Sequence, residues 1–166
     1  KVYKIPTNPE PINDNDLINS ICDELISVQT NYTVLLVQFL RNFIIPLRVK
    51  VLEGKIPGIT TNQINRIFPP TIDEVTRINC IFLDMIKLAR PYGSYEVLRA
   101  CGETIPYFYK AQMRHEGAIK NFLAGYASIK DKLDESYDQR TIQTALYSSL
   151  NLVKIQLIVQ RLYRNK

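Results

Sequence analysis

From Leu17 to Phe43 the chain runs without a glycine or a proline, and its apolar residues recur every three or four positions. Leu17, Ile21, Leu25, Val28, Tyr32, Leu35, Phe39 and Phe43 share one stripe of a 3.6-residue repeat. That pattern demands a long amphipathic helix whose stripe other elements must cover. The "NDND" of residues 13–16 offers capping side chains at its start. Pro46 has no N–H to donate, so it predicts a kink or a stop near the helix end.

The same alternation of helical runs and breakers continues. "EGKIPG" at residues 53–58 reads as a loop. "ITTNQINRIF" reads as a short helix capped by Thr60 or Thr61, and Pro69 and Pro70 break it. A helix then resumes from Thr71 with Ile72, Val75, Ile78, Cys80, Phe82, Leu83 and Ile86 as its apolar face. Pro91, Gly93 and Ser94 mark the next break. A long helical pattern runs from Tyr95 to about Ile129, bent at Pro106. The charged residues 129–138 read as a loop, and the stretch from Gln139 to Lys166 as one final helix. No strand alternation or hairpin dipeptide occurs. The expected fold is all-α, an elongated bundle of long, roughly antiparallel helices. Residues 1–13, with three of the nine prolines, form an extended lead-in to a single domain over 14–166.

Composition narrows the function classes. The chain has 166 residues, of which 46% are hydrophobic and 22% charged, enough for one domain with a sizeable core. No charge-free run of about 18 apolar residues exists, so no membrane span is expected. The first residues lack the apolar segment of a signal peptide, and the absence of an initial Met suggests a piece of a longer protein. Cys22, Cys80 and Cys101 are odd in number and widely spaced, which fits buried reduced thiols. The Asn31-Tyr32-Thr33 sequon lies mid-helix and is discounted. A net charge of +5, evenly spread, does not argue for nucleic acid. Its one concentration, Lys154, Arg161, Arg164 and Lys166, fits a solvated helix face, an acidic protein partner or peripheral contact with an anionic membrane.

No catalytic constellation is present. His115 is the single histidine and reads as a surface or capping residue; no metal-ligand spacing accompanies it. The glycines are isolated and form no phosphate loop. Asp73-Glu74 and Asp134-Glu135 suit solvent-facing helix starts. Tyr92, Tyr95, Tyr107 and Tyr109 cluster around Pro106, as core packing with wet hydroxyls or as an interface patch. No catalytic residue, metal or cofactor is assigned, and binding is the expected mode of action.

Three ordered stretches carry a family resemblance: "ELISVQTNYTVLLVQFLRNFIIPL", then "ITTNQINRIFPPTIDEVTRINCIFLDMI", then "IPYFYKAQMRHEGAIKNF" followed later by "LIVQRLYR". Together they resemble the Dbl-homology domain of Rho-family guanine-nucleotide exchange factors, over about residues 17–166. Within that family, "RIFPPTIDEVTRINCIFLDM" is most similar to the divergent domain of fungal axial bud-site-selection proteins. The resemblance implies a cytoplasmic protein of the bud neck or cell cortex that binds a Rho-family GTPase and promotes GDP release. Its further partners would be septins or other bud-neck proteins. The alternative is a weakened Dbl-like scaffold that grips a GTPase or a cytoskeletal partner without efficient exchange. Aligned on the family motifs, Gln29 stands where the family has its switch-contacting Glu, and Val28 where it has Thr. Gln160 and Arg161 match the last motif, while Leu157 and Ile158 replace its Lys and Pro. The family's last helix continues beyond the position of Lys166. The GTPase-binding surface implied is therefore Gln29, Glu24, Lys154, Leu157, Gln160 and Arg161, with Gln29 exposed at the edge of the buried stripe.

Overall fold

A computed structural model describes residues 3–120, 122–133 and 138–166. The first long helix is α1 (Asp16–Phe39), capped by the Asn15 carboxamide, which accepts from the Ile18 N–H at 2.9 Å. Pro46 does not stop it. The backbone loosens into a π-turn over Leu40–Ile44 and continues as α2 (Ile45–Leu52). The wider turn makes room where the proline ring would collide with the carbonyl four residues back. After a loop come α3 (Thr61–Ile67), opened by a Thr60/Gln63 capping box, and α4 (Thr71–Ala89). The remaining helices are α5 (Ser94–Ala118), α6 (Phe122–Ile129), α7 (Gln139–Ser148) and α8 (Leu152–Asn165). No strand occurs among the described residues, and the all-α expectation is met.

Two breaks were not expected. The long run from Tyr95 turns aside after Ala118, and the final helix is two helices separated at Ser149–Asn151. The Asp134-Glu135 pair and much of the charged loop lie outside the described residues.

The core has two apolar halves. One joins Ile18, Cys22 and Leu25 of α1 to Phe82 and Ile86 of α4, Val97 and Phe108 of α5, and Ile155, Ile158 and Leu162 of α8. The other joins Phe39 and Phe43 to Leu47, Phe68, Ile72, Phe122, Tyr126 and Leu146. Following the chain, α1 leads from the first half to the second, α4 returns, α5 goes out again, and α7 and α8 return. The long helices are thus antiparallel to their neighbours, with α1 packed on α4 and α8, and α4 on α5.

Phe68 anchors the second half. Its ring meets Phe43 edge-on at 5.2 Å and lies 5.8 Å from Phe122. Arg48 adds a bidentate clamp on Asp73, at 2.8 and 2.7 Å, that ties α2 to the first turn of α4. Asp73 and Glu74 therefore do more than face solvent, because Glu74 pairs with Arg114 of α5. Gly125 of α6 passes so close to α3 that a Cβ there would sit 2.9 Å from Ile67.

The lead-in is irregular but held in place. The Tyr3 ring is buried under the Arg99 guanidinium, 4.6 Å from its centroid, and its hydroxyl donates to Glu96 at 2.7 Å. Asp14 caps α5 by accepting from the Ser94 N–H and hydroxyl at 2.8 and 2.6 Å.

Burial sorts the aromatics. Phe39 and Phe68 are buried, whereas Tyr32 is only half-buried. Phe68→Ala should cost about 3–5 kcal/mol and Tyr32→Ala clearly less, as urea denaturation would measure.

Candidate functional site

Between the two apolar halves lies a belt of buried polar side chains. Gln29 and Thr33 come from α1, Thr76 and Asn79 from α4, Gln112 and His115 from α5, and Ser149 and Asn151 from the α7–α8 break. Each long helix contributes where it passes from one half to the other.

Gln29 is at the centre of this belt and not at the surface, which corrects the expectation of an exposed switch-contacting residue. It is 0% exposed. Its Nε2 donates to Asn79 Oδ1 at 2.9 Å, to the Asn79 carbonyl at 3.1 Å and to Thr33 Oγ1 at 3.2 Å. Asn79 Oδ1 also accepts from Asn151 Nδ2 at 2.9 Å, and Asn79 Nδ2 donates to the Val75 carbonyl at 2.8 Å. One carboxamide thus joins α1, α4 and the start of α8. The buried stripe runs through Ile18, Cys22, Leu25, Gln29, Thr33 and Leu36, leaving Leu17 exposed and Val28, Tyr32 and Leu35 at its margin. An apolar-only stripe is rotated toward that margin. Sequence reading missed Asn79, although it lies between Val75 and Phe82 on the apolar face of α4 at helical spacing.

His115 is also buried, against its reading as a surface or capping residue. Its Nε2 lies 2.7 Å from Ser149 Oγ and its Nδ1 2.8 Å from Thr71 Oγ1. The Ser149 hydroxyl donates to the Leu146 carbonyl, so Nε2–H must be the donor to Ser149. Nδ1 is then left to accept from Thr71. Both nitrogens are satisfied in the neutral ring, and burial pushes the pKa down to about 4. The ring is neutral near neutral pH and serves a structural role. Cys22 and Cys101 are buried thiols, and burial raises the Cys101 pKa to about 12, which leaves it unreactive.

The other residues of the implied GTPase surface lie on or beside α8. Its buried face is Leu152, Ile155, Ile158 and Leu162. Lys154, Leu157 and Arg161 follow at i, i+3 and i+7 on the outside, with Leu157 58% exposed. Arg161 reaches across to Glu24 of α1 in an ion pair at the α1–α8 seam. Gln160 is exposed but turns toward α5. The fold thus brings Glu24 and Arg161 together, keeps Lys154 and Leu157 beside them, aims Gln160 elsewhere and buries Gln29.

The chain is 50% identical over 158 residues to a bud site selection protein 3 homolog of Eremothecium gossypii, covering 90% of this chain and 11% of that protein. It is 43% identical over 175 residues to the bud site selection protein 3 of Debaryomyces hansenii, covering 96% of this chain and 13% of that one. The chain is homologous to a segment of bud site selection protein 3. It spans only about a tenth of the length of these bud site selection relatives. The bud-site-selection part of the resemblance is borne out. No family model matches the chain, and no solved structure is significantly similar to it. Among the described residues no helix is long and apolar enough to cross a membrane.

Burial reverses the usual expectation for Gln29 variants. Gln29→Glu puts a carboxylate among acceptor oxygens and should destabilise the fold by about 3 kcal/mol or more, and Gln29→Ala by about 1–3 kcal/mol. Melting curves would check both. Unchanged melting would put Gln29 back at the surface.

His115 sets a pH dependence. Its folded pKa, about 4, lies below the ordinary 6.5, so only the unfolded chain takes up the proton as pH falls through that window. Its contribution is full above pH 6.5 and is lost on the way down to pH 4. Between about pH 7 and pH 5 the loss should be about 2 kcal/mol, and His115→Gln should flatten that slope in denaturation titrations.

Proposed function

We propose that the chain is a Dbl-like module of bud-site polarity that binds a Rho-family GTPase along the α1–α8 seam and promotes GDP release. The observation that carries this reading is the seam itself. The first and last helices, which hold the first and last family motifs, pack side by side. Across them Arg161 pairs with Glu24. Leu157 stands exposed between the cations Lys154 and Arg161, an apolar contact with a basic rim. Such a surface suits a partial, reversible protein interface. The names of the relatives support a setting in bud-site selection, and the proposal takes the protein to be cytoplasmic, at the bud neck or cortex.

Exchange by this family's route forms no covalent bond. A surface that binds the nucleotide-free GTPase more tightly than the GDP-bound one shifts the population toward release. The chain's residues would act by shape and charge alone: Glu24 and Arg161 as hydrogen-bonding groups at the seam, Leu157 as an apolar contact, and Lys154 as a steering charge.

One observation favours a second reading. Gln29, the position that resembles the family's switch-contacting Glu, is buried and occupied by Asn79 and Thr33. A module lacking that contact would hold a GTPase, a septin or another bud-neck protein as a scaffold without accelerating exchange.

Release of a fluorescent GDP analogue from a panel of Rho-family GTPases separates the two. A longer chain that continues past Lys166 should be used. The exchange reading expects faster release from at least one GTPase. It also expects Leu157→Asp to slow that release about tenfold or more with the melting temperature nearly unchanged, because exposed substitutions cost within about 0.5 kcal/mol. A GTPase bound without faster release would leave the scaffold reading standing. No binding at all would remove both.

A further inference from the structure

On the flank of α8 away from α1, an open trough of about 1070 Å³ runs between α5 and α8. Its lining is largely apolar, with Leu98, Ile105 and Val159 packed along it as half-buried side chains. Gly102 sits midway along the α5 wall, and a Cβ built there meets nothing within 4 Å. Tyr95 and Tyr163 stand at one end, 64% and 74% exposed. No acidic side chain lines the trough. Arg99, Arg164 and Lys166 do. Arg99 is already held by Glu96, but Arg164 has no acidic partner among the described residues, and the Lys166 ammonium rests 5.6 Å over the Tyr95 ring.

We propose that this trough docks an amphipathic helix of a protein partner, its aliphatic stripe on the apolar lining and acidic residues on its flanks. Three features decide the occupant. From Tyr95 to Pro106 the α5 wall is about 16 Å long, which is three turns of helix. Two neighbouring antiparallel helices present a groove that a third helix fills by ridge-and-groove packing, and Gly102 lets its backbone come close. Exposed tyrosines with an unpaired arginine are the residue types that dominate binding energy at protein interfaces. The charged side chains that line the trough are all cationic, which selects acidic flanks over basic ones. The surface is separate from the α1–α8 seam, so neither proposal depends on the other.

The test is a display library of stapled helices about 14 residues long, with a randomised aliphatic stripe, flanked by Glu in one half and by Lys in the other. It is panned against the 166-residue chain. Glu-flanked winners should outnumber Lys-flanked ones about tenfold, a difference of about 1.4 kcal/mol. Gly102→Glu, which fills the trough with a repelling charge, and Arg164→Glu should each abolish their binding. Gly102→Glu should melt no lower than the parent, since glycine is the poorer helix former and the site is open. No winners, an excess of Lys-flanked winners, or winners indifferent to Gly102→Glu would overturn the proposal. So would self-association in sedimentation that Gly102→Glu abolishes, which would make a second copy the occupant. Binding to phosphatidylserine vesicles lost in Arg164→Glu, with no peptide winners, would overturn it in favour of a membrane surface.

Discussion

The Asn79 carboxamide holds the middle of the bundle together. Its oxygen accepts from Gln29 and Asn151 and its nitrogen donates to Val75, so three helices meet at a single planar group. Hydrogen bonds in a dry interior are strong because water does not compete, and a buried amide that lost them would be costly. Sliding α1 by one turn so that Leu25 replaces Gln29, or α8 so that Ile155 replaces Asn151, would bring an aliphatic residue to Asn79 and leave its amide unmet. The belt thus fixes the register of helices whose apolar faces alone would tolerate several. It is not fully satisfied, since Gln29 Oε1 and Asn151 Oδ1 are buried without a partner among the described residues. The position of α8, and with it both proposed surfaces, follows from this register.

With α8 in place, its two flanks separate by chemistry. Toward α1 it offers Arg161, paired with Glu24, and the exposed Leu157. Toward α5 it offers Val159, Tyr163 and Arg164 over the trough. A 14-residue helix with a single buried face can serve two partners because each flank borrows its second wall from a different neighbour. An exposed pair such as Arg161–Glu24 adds at most about 1 kcal/mol to stability, so it is free to exchange for contacts with a bound protein.

The helices themselves were legible because apolar spacing, caps and prolines all point the same way. Asn15 and Thr60 cap where sequence chemistry places them, and Pro69 and Pro70 separate α3 from α4. Pro46 marks a distortion and not a stop, because a proline can be absorbed by a π-turn when tertiary packing on both sides keeps the helix going. The break at Ser149–Asn151 was invisible, since its residues are neither glycine nor proline and earn their positions through partners on α4 and α5. Gln29, His115 and Asn79 were misplaced or missed for the same reason. A polar side chain reads as surface in one dimension, and only the meeting of several at one height makes burial affordable. The seam residues were named through a family resemblance, and periodicity alone would have given only that Lys154, Leu157 and Arg161 share a face.

Dividing the core has a consequence for motion. An interior that is apolar throughout tends to open as one unit, but here two hydrophobic compartments meet at a layer rich in buried hydrogen bonds. The compartment of α3, α6 and α7, built around Phe68, should therefore open at a different free energy from that of α1, α5 and α8. Amide exchange would then report two protection levels along each long helix, stepping at the belt. A partner seated on the α8 flanks would feel only the compartment beneath it.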